Sequence, residues 1–180
     1  MLALVHAVEF EKMKITNQNG SSMIEVIIAI VITVMGLLGV AGLQLNALKY
    51  QKTSAQRSEA MQAAYDIGER MRANAVAAKA SAYVYTTSYS TTVASPPTLP
   101  TCTAPCSAAQ IAAIDQAEWL INLSRRLLGG AGFIVSNVNG GFDVTVMWKE
   151  PSLITTDPAC GNTPTPPGTG VRCFVVTFTP

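Results

Sequence analysis

Charged residues and histidine are scarce in this chain of 180 residues. Lys, Arg, Asp and Glu make up only 13% of the sequence, against about a quarter in an average soluble domain, and the formal net charge is +1. The basic residues are scattered and form no patch of the kind that binds nucleic acid, so no nucleic-acid partner is evident. The single histidine, His6, precedes Gly20, which leaves the rest of the chain without a histidine triad or a histidine metal site.

Sequence motifs of enzyme chemistry are also missing. The chain contains no G-x-S-x-G motif and no phosphate-binding loop. Asp115 and Glu118 are spaced to share one face of a helix, but no nucleophile or base accompanies them, so we interpret them as part of a solvated face. We therefore predict that the protein is not an enzyme and that it needs no cofactor.

Cysteine occurs only in the C-terminal half, at Cys102, Cys106, Cys160 and Cys173. An even number of cysteines beyond an apolar segment is typical of an oxidising compartment such as a periplasm. We predict the disulfides Cys102–Cys106 and Cys160–Cys173, because each pair closes a local loop that contains Pro or Gly. The alternative is a zinc site, which the spacing of Cys102 and Cys106 permits, although Cys160 and Cys173 are too far apart for a second short chelating pair.

A nearly continuous apolar run extends from Met23 to Leu45 and is long enough to cross a membrane as a helix. The residues before it are polar, which is the reverse of an ordinary secretory signal, where an apolar segment precedes the cut. We interpret residues 1–20 as a leader peptide, with Met13 as an alternative start. Residues 21–48 are then the membrane-spanning half of a long helix, and residues 49–180 a periplasmic domain that includes the distal half of that helix.

Glu25 is a carboxylate near the start of this apolar run, where an unpaired charge costs at least ~2.5–3.5 kcal/mol. Cleavage after Gly20 would create a cation to balance it, the new amine of Ser21. Between packed helices, Glu25 of one subunit would neutralise the Ser21 amine of its neighbour, a desolvated pair that acts on register more than on net stability. The plain alternative is a signal-anchor helix with a chance carboxylate. Gly36, Gly39 and Gly42 predict a close helix-packing seam in the same run.

The remainder of the chain predicts an α+β fold. Good helix formers without proline continue the first helix to about Ala78, with Asp66 and Arg70 spaced to pair on one face. A capping box at Ser107–Gln110 starts a second helix, which ends before Gly129. Alternating strands follow at 133–138, 142–148 and 174–178, and they predict a small antiparallel sheet packed on the long helix, with Trp119 and Trp148 in the core. The second strand is predicted to be half-buried, with one apolar face of Phe142, Val144, Val146 and Trp148 and a polar face of Asp143, Thr145, Met147 and Lys149.

The run GSSMIEVIIAIVITVMGLLGVAGLQ resembles the N-terminal motif of the type IV pilin family. This resemblance implies the type IV pilin fold, cleavage after Gly20 by a membrane aspartyl prepilin peptidase, N-methylation of Ser21, and first helices that bundle into a filament core. Ser21 departs from the family, in which the first mature residue is usually Phe or Met.

A narrower resemblance is carried by DQAEWLINLSRRLLGGAG and FDVTVMWKEP, which are similar to the PilV family of minor pilins, also called type IV pilus modification proteins. It implies that other minor pilins and the major pilin are partners, and that the chain primes pilus assembly and supports adhesion and twitching motility. The implied location is a single pass of the inner membrane and then the pilus at the cell surface. The alternative function is a minor pseudopilin of a type II secretion system.

Overall fold

The computed structural model describes residues 22–87, 89, 97–163 and 167–179. The chain divides into two units, residues 1–46 and residues 47–180, and the second is called the globular unit below. Helix α1 spans Met23–Ala73, so the predicted long helix is confirmed. Its buried residues all lie in the globular unit, namely Ala60, Ala64, Ile67, Gly68 and Met71.

The predicted helix end at about Ala78 is wrong, because α1 stops at Ala73 and a short helix α2 follows at Ala75–Lys79. Asn74 separates the two with φ −116° and ψ 56°. Its side-chain amide donates a hydrogen bond to the Ala108 carbonyl at 2.8 Å, and its Oδ1 accepts one from Ala77 N at 3.4 Å. An asparagine side chain that offers the backbone such bonds competes with the helical ladder, which explains the break.

Helix α3 spans Ala108–Arg126 and begins with the predicted capping box, which is confirmed: Gln110 N donates to Ser107 Oγ and Ser107 N donates to Gln110 Oε1. Trp119 is 1% exposed and donates from Nε1 to the Ala63 carbonyl at 2.9 Å. This bond fixes α3 against α1 within the globular unit.

The three predicted strands are confirmed as β1 (Ala131–Ser136), β2 (Phe142–Lys149) and β3 (Val171–Phe178). They form one antiparallel sheet in the order β1-β2-β3. The turn between β1 and β2 contains Gly140 at φ 79°, a conformation that favours glycine. Tyr85 adds a single antiparallel bridge to Ile134 on β1.

The central strand β2 differs from its prediction as a strand with one buried face. Thr145 and Met147, on the face predicted to be polar, are 2% and 1% exposed. The face that carries Phe142, Val144 and Val146 packs into the main core with α1 and α3. The opposite face is covered by a smaller core of Phe133, Met147, Val171, Cys160 and Cys173. The loop between β2 and β3 therefore gives the sheet a second buried layer.

At Gly68 helix α1 lies close against the last strand of the sheet. A Cβ added there would lie 2.5 Å from the Phe178 ring, which is itself only 3% exposed. We expect Gly68→Val to lower the free energy of unfolding by about 1–3 kcal/mol, because the core has no room for the side chain. The measurement is denaturant unfolding of the full chain in detergent, followed by the fluorescence of the two buried tryptophans.

Gly36→Val is the matched control on the same helix, since an added Cβ at Gly36 meets nothing within 4 Å. We expect this variant to unfold at the same denaturant concentration as the parent. Equal midpoints for both variants would contradict the close approach of α1 to β3.

Candidate functional site

The most exposed apolar surface of the described chain lies on the first half of α1. The large hydrophobic side chains between Met23 and Leu48 are between 46% and 86% exposed. This helix is long and apolar enough to cross a membrane, by length and composition alone. A continuous apolar surface of this size requires a cover of lipid or of other chains, because its contact with water is unfavourable.

Glu25 lies in the first turn of α1, where a carboxylate interacts favourably with the positive end of the helix dipole. Its backbone N–H donates to the Ser22 carbonyl at 2.8 Å. Gly20 and Ser21 lie outside the described residues, so cleavage between them and the pairing of Glu25 with the Ser21 amine stay predictions.

Gly36, Gly39 and Gly42 lie on the exposed half of α1. A Cβ added at any of the three meets no atom of the described chain within 4 Å. Packing within the chain therefore does not require glycine there, and the helix-packing seam stays a prediction about contacts with other chains.

A charged cluster joins α1 to α3 in the globular unit. The Arg70 guanidinium contacts Asp66 at 3.2 Å, as predicted, and it also contacts Asp115 at 3.1 Å and Glu118 at 2.7 Å. The Tyr83 hydroxyl donates to Asp115 Oδ2 at 2.6 Å. The interpretation of Asp115 and Glu118 as a purely solvated face was therefore wrong: both carboxylates hold Arg70.

The pKa shifts of Arg70 and Tyr83 suit a structural contact between helices. Burial alone would lower the pKa of Arg70, but its hydrogen bonds to Glu118 and Asp115 outweigh burial and raise that pKa further. Burial raises the pKa of Tyr83, and its hydrogen bond to Asp115 adds to the effect. Arg70 therefore stays charged and Tyr83 stays a protonated donor at neutral pH, so neither is poised to exchange a proton.

A second charged cluster holds the loop that leads into β3. Arg172 donates to Glu150 at 2.9 Å and lies 3.6 Å from Asp157. The hydrogen bond to Glu150 is the main reason that the pKa of Arg172 is raised. Asp157 also accepts the backbone N–H of Cys173 at 3.3 Å, which ties the loop to the strand beside the disulfide.

The four cysteines form two disulfides, Cys102–Cys106 and Cys160–Cys173. Each sulfur is used in a disulfide, so none is a free thiolate for the zinc site considered above. Among the described residues, no group of three or more His, Cys, Asp and Glu side chains is arranged to hold a metal ion.

Comparison with known proteins gives one family. The family model Tt1218-like, described as type IV pilin Tt1218, matches residues 42–117, from the middle of α1 into α3. No curated protein and no solved structure matches the chain. The architecture, a long N-terminal helix with a three-stranded antiparallel sheet, is consistent with the type IV pilin fold. Residues 42–117 are thus similar to a type IV pilin family, and the architecture agrees with that similarity.

Proposed function

We propose that the chain is a minor type IV prepilin, which is cut after Gly20 and assembled through α1 into a type IV pilus. The observation that carries the proposal is the exposed apolar half of α1, which has a carboxylate, Glu25, in its first turn. Lipid covers this surface before assembly, and the equivalent helices of neighbouring subunits cover it afterwards. The family match over residues 42–117 supports the pilin class independently of the N-terminal run.

Cleavage and assembly are coupled by charge in this proposal. A prepilin peptidase removes residues 1–20, and the freed amine of Ser21 becomes N-methylated and stays cationic. In the apolar filament core this amine pairs with Glu25 of a neighbouring subunit, because each charge is costly there without the other. Gly36, Gly39 and Gly42 let neighbouring helices approach closely in the same core.

The finer assignment is a minor pilin of the PilV type, which the motifs at 115–132 and 142–151 support. Its partners are then other minor pilins and the major pilin, and its role is to prime assembly and so to support adhesion and twitching motility. The globular unit faces the periplasm until assembly carries it to the cell surface. The two disulfides suit this oxidising location.

A clean deletion of the gene tests the proposed function against the secretion alternative. We expect few or no surface pili and reduced twitching, with normal levels of secreted proteins, and full recovery on complementation. Lost secretion with normal pili would contradict the proposal and move the protein to a type II secretion pseudopilus.

A further inference from the structure

A cleft of about 450 Å³ opens within the globular unit, between α1 and the start of β3. It lies beside the main core and uses none of the residues of the Arg70 cluster. The lining side chains that matter for its chemistry are Ser54, Arg57, Ser58, Met61, Trp148, Asp157 and Arg172. Its size admits one or two side chains of another protein.

Trp148 gives this cleft an unused hydrogen-bond donor. The residue is 2% exposed, and its Nε1 has no hydrogen-bond partner within the described ranges. By contrast, the Nε1 of Trp119 donates to a backbone carbonyl at 2.9 Å. A buried donor without an acceptor costs about 1–3 kcal/mol, so an acceptor supplied by a partner would be favoured there.

Arg57 gives the cleft an uncompensated cation. The charge of Arg172 is balanced by Glu150 and Asp157, whereas Arg57 is exposed and has no ion pair within 4.0 Å among the residues that the structure describes. The Ser58 oxygen accepts a hydrogen bond from Gln62, so its O–H remains able to donate. The lining carboxylate of Asp157 is already engaged by Arg172 and by the backbone N–H groups of Ala159 and Cys173. The groups left for a partner are therefore mainly donors and the positive charge of Arg57, a set that matches a carboxylate.

Arg57 and the apolar run belong to the same helix, α1. Arg57 follows Leu48, the last side chain of the exposed apolar run, by about 13 Å along the helix axis. A neighbour that packs along α1 beyond Leu48 would meet Ser54, Arg57 and Ser58.

We propose that this cleft docks an acidic side chain of a neighbouring subunit, with Arg57 pairing with the carboxylate and Trp148 Nε1 donating to it. The inference rests on the proposed function, because it requires assembly. Because Nε1 is buried, the carboxylate reaches it only if a side chain of the cleft wall moves, and Met61, 44% exposed, is a flexible side chain in that wall. This charged contact fixes the position of the neighbouring subunit, whereas purely apolar packing between helices does not.

Site-specific photo-crosslinking in cells tests the contact. Benzoylphenylalanine is placed at Ser54 in the cleft, at Leu37 in the apolar run, and at Val138, which is fully exposed in the turn before β2. We expect Ser54 and Leu37 to crosslink to another pilin subunit and Val138 not to do so. Crosslinks from Leu37 without any from Ser54 would overturn the cleft contact and leave the proposed function standing. No crosslink at any of the three would overturn both.

Substitutions at Arg57 and Trp148 test which groups of the cleft make the contact. We expect Arg57→Glu to lower incorporation into sheared filaments by about tenfold, the loss of roughly one charge-assisted contact, while Arg57→Lys retains most of it. The matched control is Arg125→Glu, the same charge change at an exposed position on α3. Trp148→Phe removes the N–H together with part of the buried indole, which costs some stability, so its incorporation is normalised to its amount in the membrane fraction, and we expect the normalised value to be several-fold lower. Normal incorporation of both Arg57→Glu and Trp148→Phe would overturn the proposal.

Discussion

Glu25→Ala is expected to insert into the membrane normally but to reach the filament at least about 100-fold less than the parent chain. Removing one partner of a buried ion pair costs about 3–5 kcal/mol, because the remaining charge stays desolvated without compensation. In this protein the remaining charge would be the amine of Ser21 in a core of apolar α1 segments. The measurement compares the amount of the variant in sheared filaments with its amount in the membrane fraction.

Charge and shape at this position are separated by two further variants. Glu25→Gln keeps the size of the side chain and removes the charge, so it should fail as Glu25→Ala does. Glu25→Asp keeps the charge on a shorter side chain and should assemble in part. If Glu25→Ala enters filaments at the parental level, the pairing of Glu25 with the Ser21 amine does not occur.

Loss of the Cys160–Cys173 disulfide is expected to be the most damaging change to the stability of the globular unit. Closing a loop of this length stabilises a fold by about 3 kcal/mol through the entropy of the unfolded chain. Cys160 and Cys173 are also 0% and 7% exposed and belong to the small core on the second face of the sheet. The double variant Cys160→Ala with Cys173→Ala should therefore lose about 3 kcal/mol and additional packing energy, measured by denaturant unfolding of the full chain in detergent.

The other disulfide provides the control for this prediction. Cys102 and Cys106 are partly exposed and close a much shorter loop, for which the same entropy relation gives about 2 kcal/mol and no core is lost. The double variant Cys102→Ala with Cys106→Ala should thus be the more stable of the two. The reverse order would show that the layer under β2 does not depend on the Cys160–Cys173 bond.

Features with a strong local cause were predictable from the sequence. The apolar run gives the first half of α1, the side chains of Ser107 and Gln110 start α3, and the alternation of Phe142, Val144 and Val146 gives β2. In each case neighbouring residues supply both the signal and the interactions that satisfy it.

Features that depend on distant parts of the chain were missed. The break at Asn74 requires the carbonyl of Ala108, and the anchoring role of Arg70 requires Asp115, 45 residues further along the chain. The burial of Met147 depends on the loop that carries Cys160. The sequence signals of the charged cluster were the i,i+4 pair of Asp66 and Arg70 and the shared helix face of Asp115 and Glu118, and neither could show that the two pairs would meet.

The candidate site could likewise be predicted from the sequence only in part. Exposure of the apolar side chains of α1 is visible in the structure of one chain, whereas the contacts that cover them belong to an assembly. The cleft at Arg57 and Trp148 could not be predicted from the sequence, because only folding brings its residues from α1, β2 and β3 together.

Mass spectrometry of the chain recovered from sheared surface filaments tests the central claim most directly. The account predicts a mature protein that begins at Ser21, carries an N-methyl group and retains both disulfides. Recovery of the chain with residues 1–20 still attached, from a strain with an active prepilin peptidase, would contradict its assignment as a prepilin.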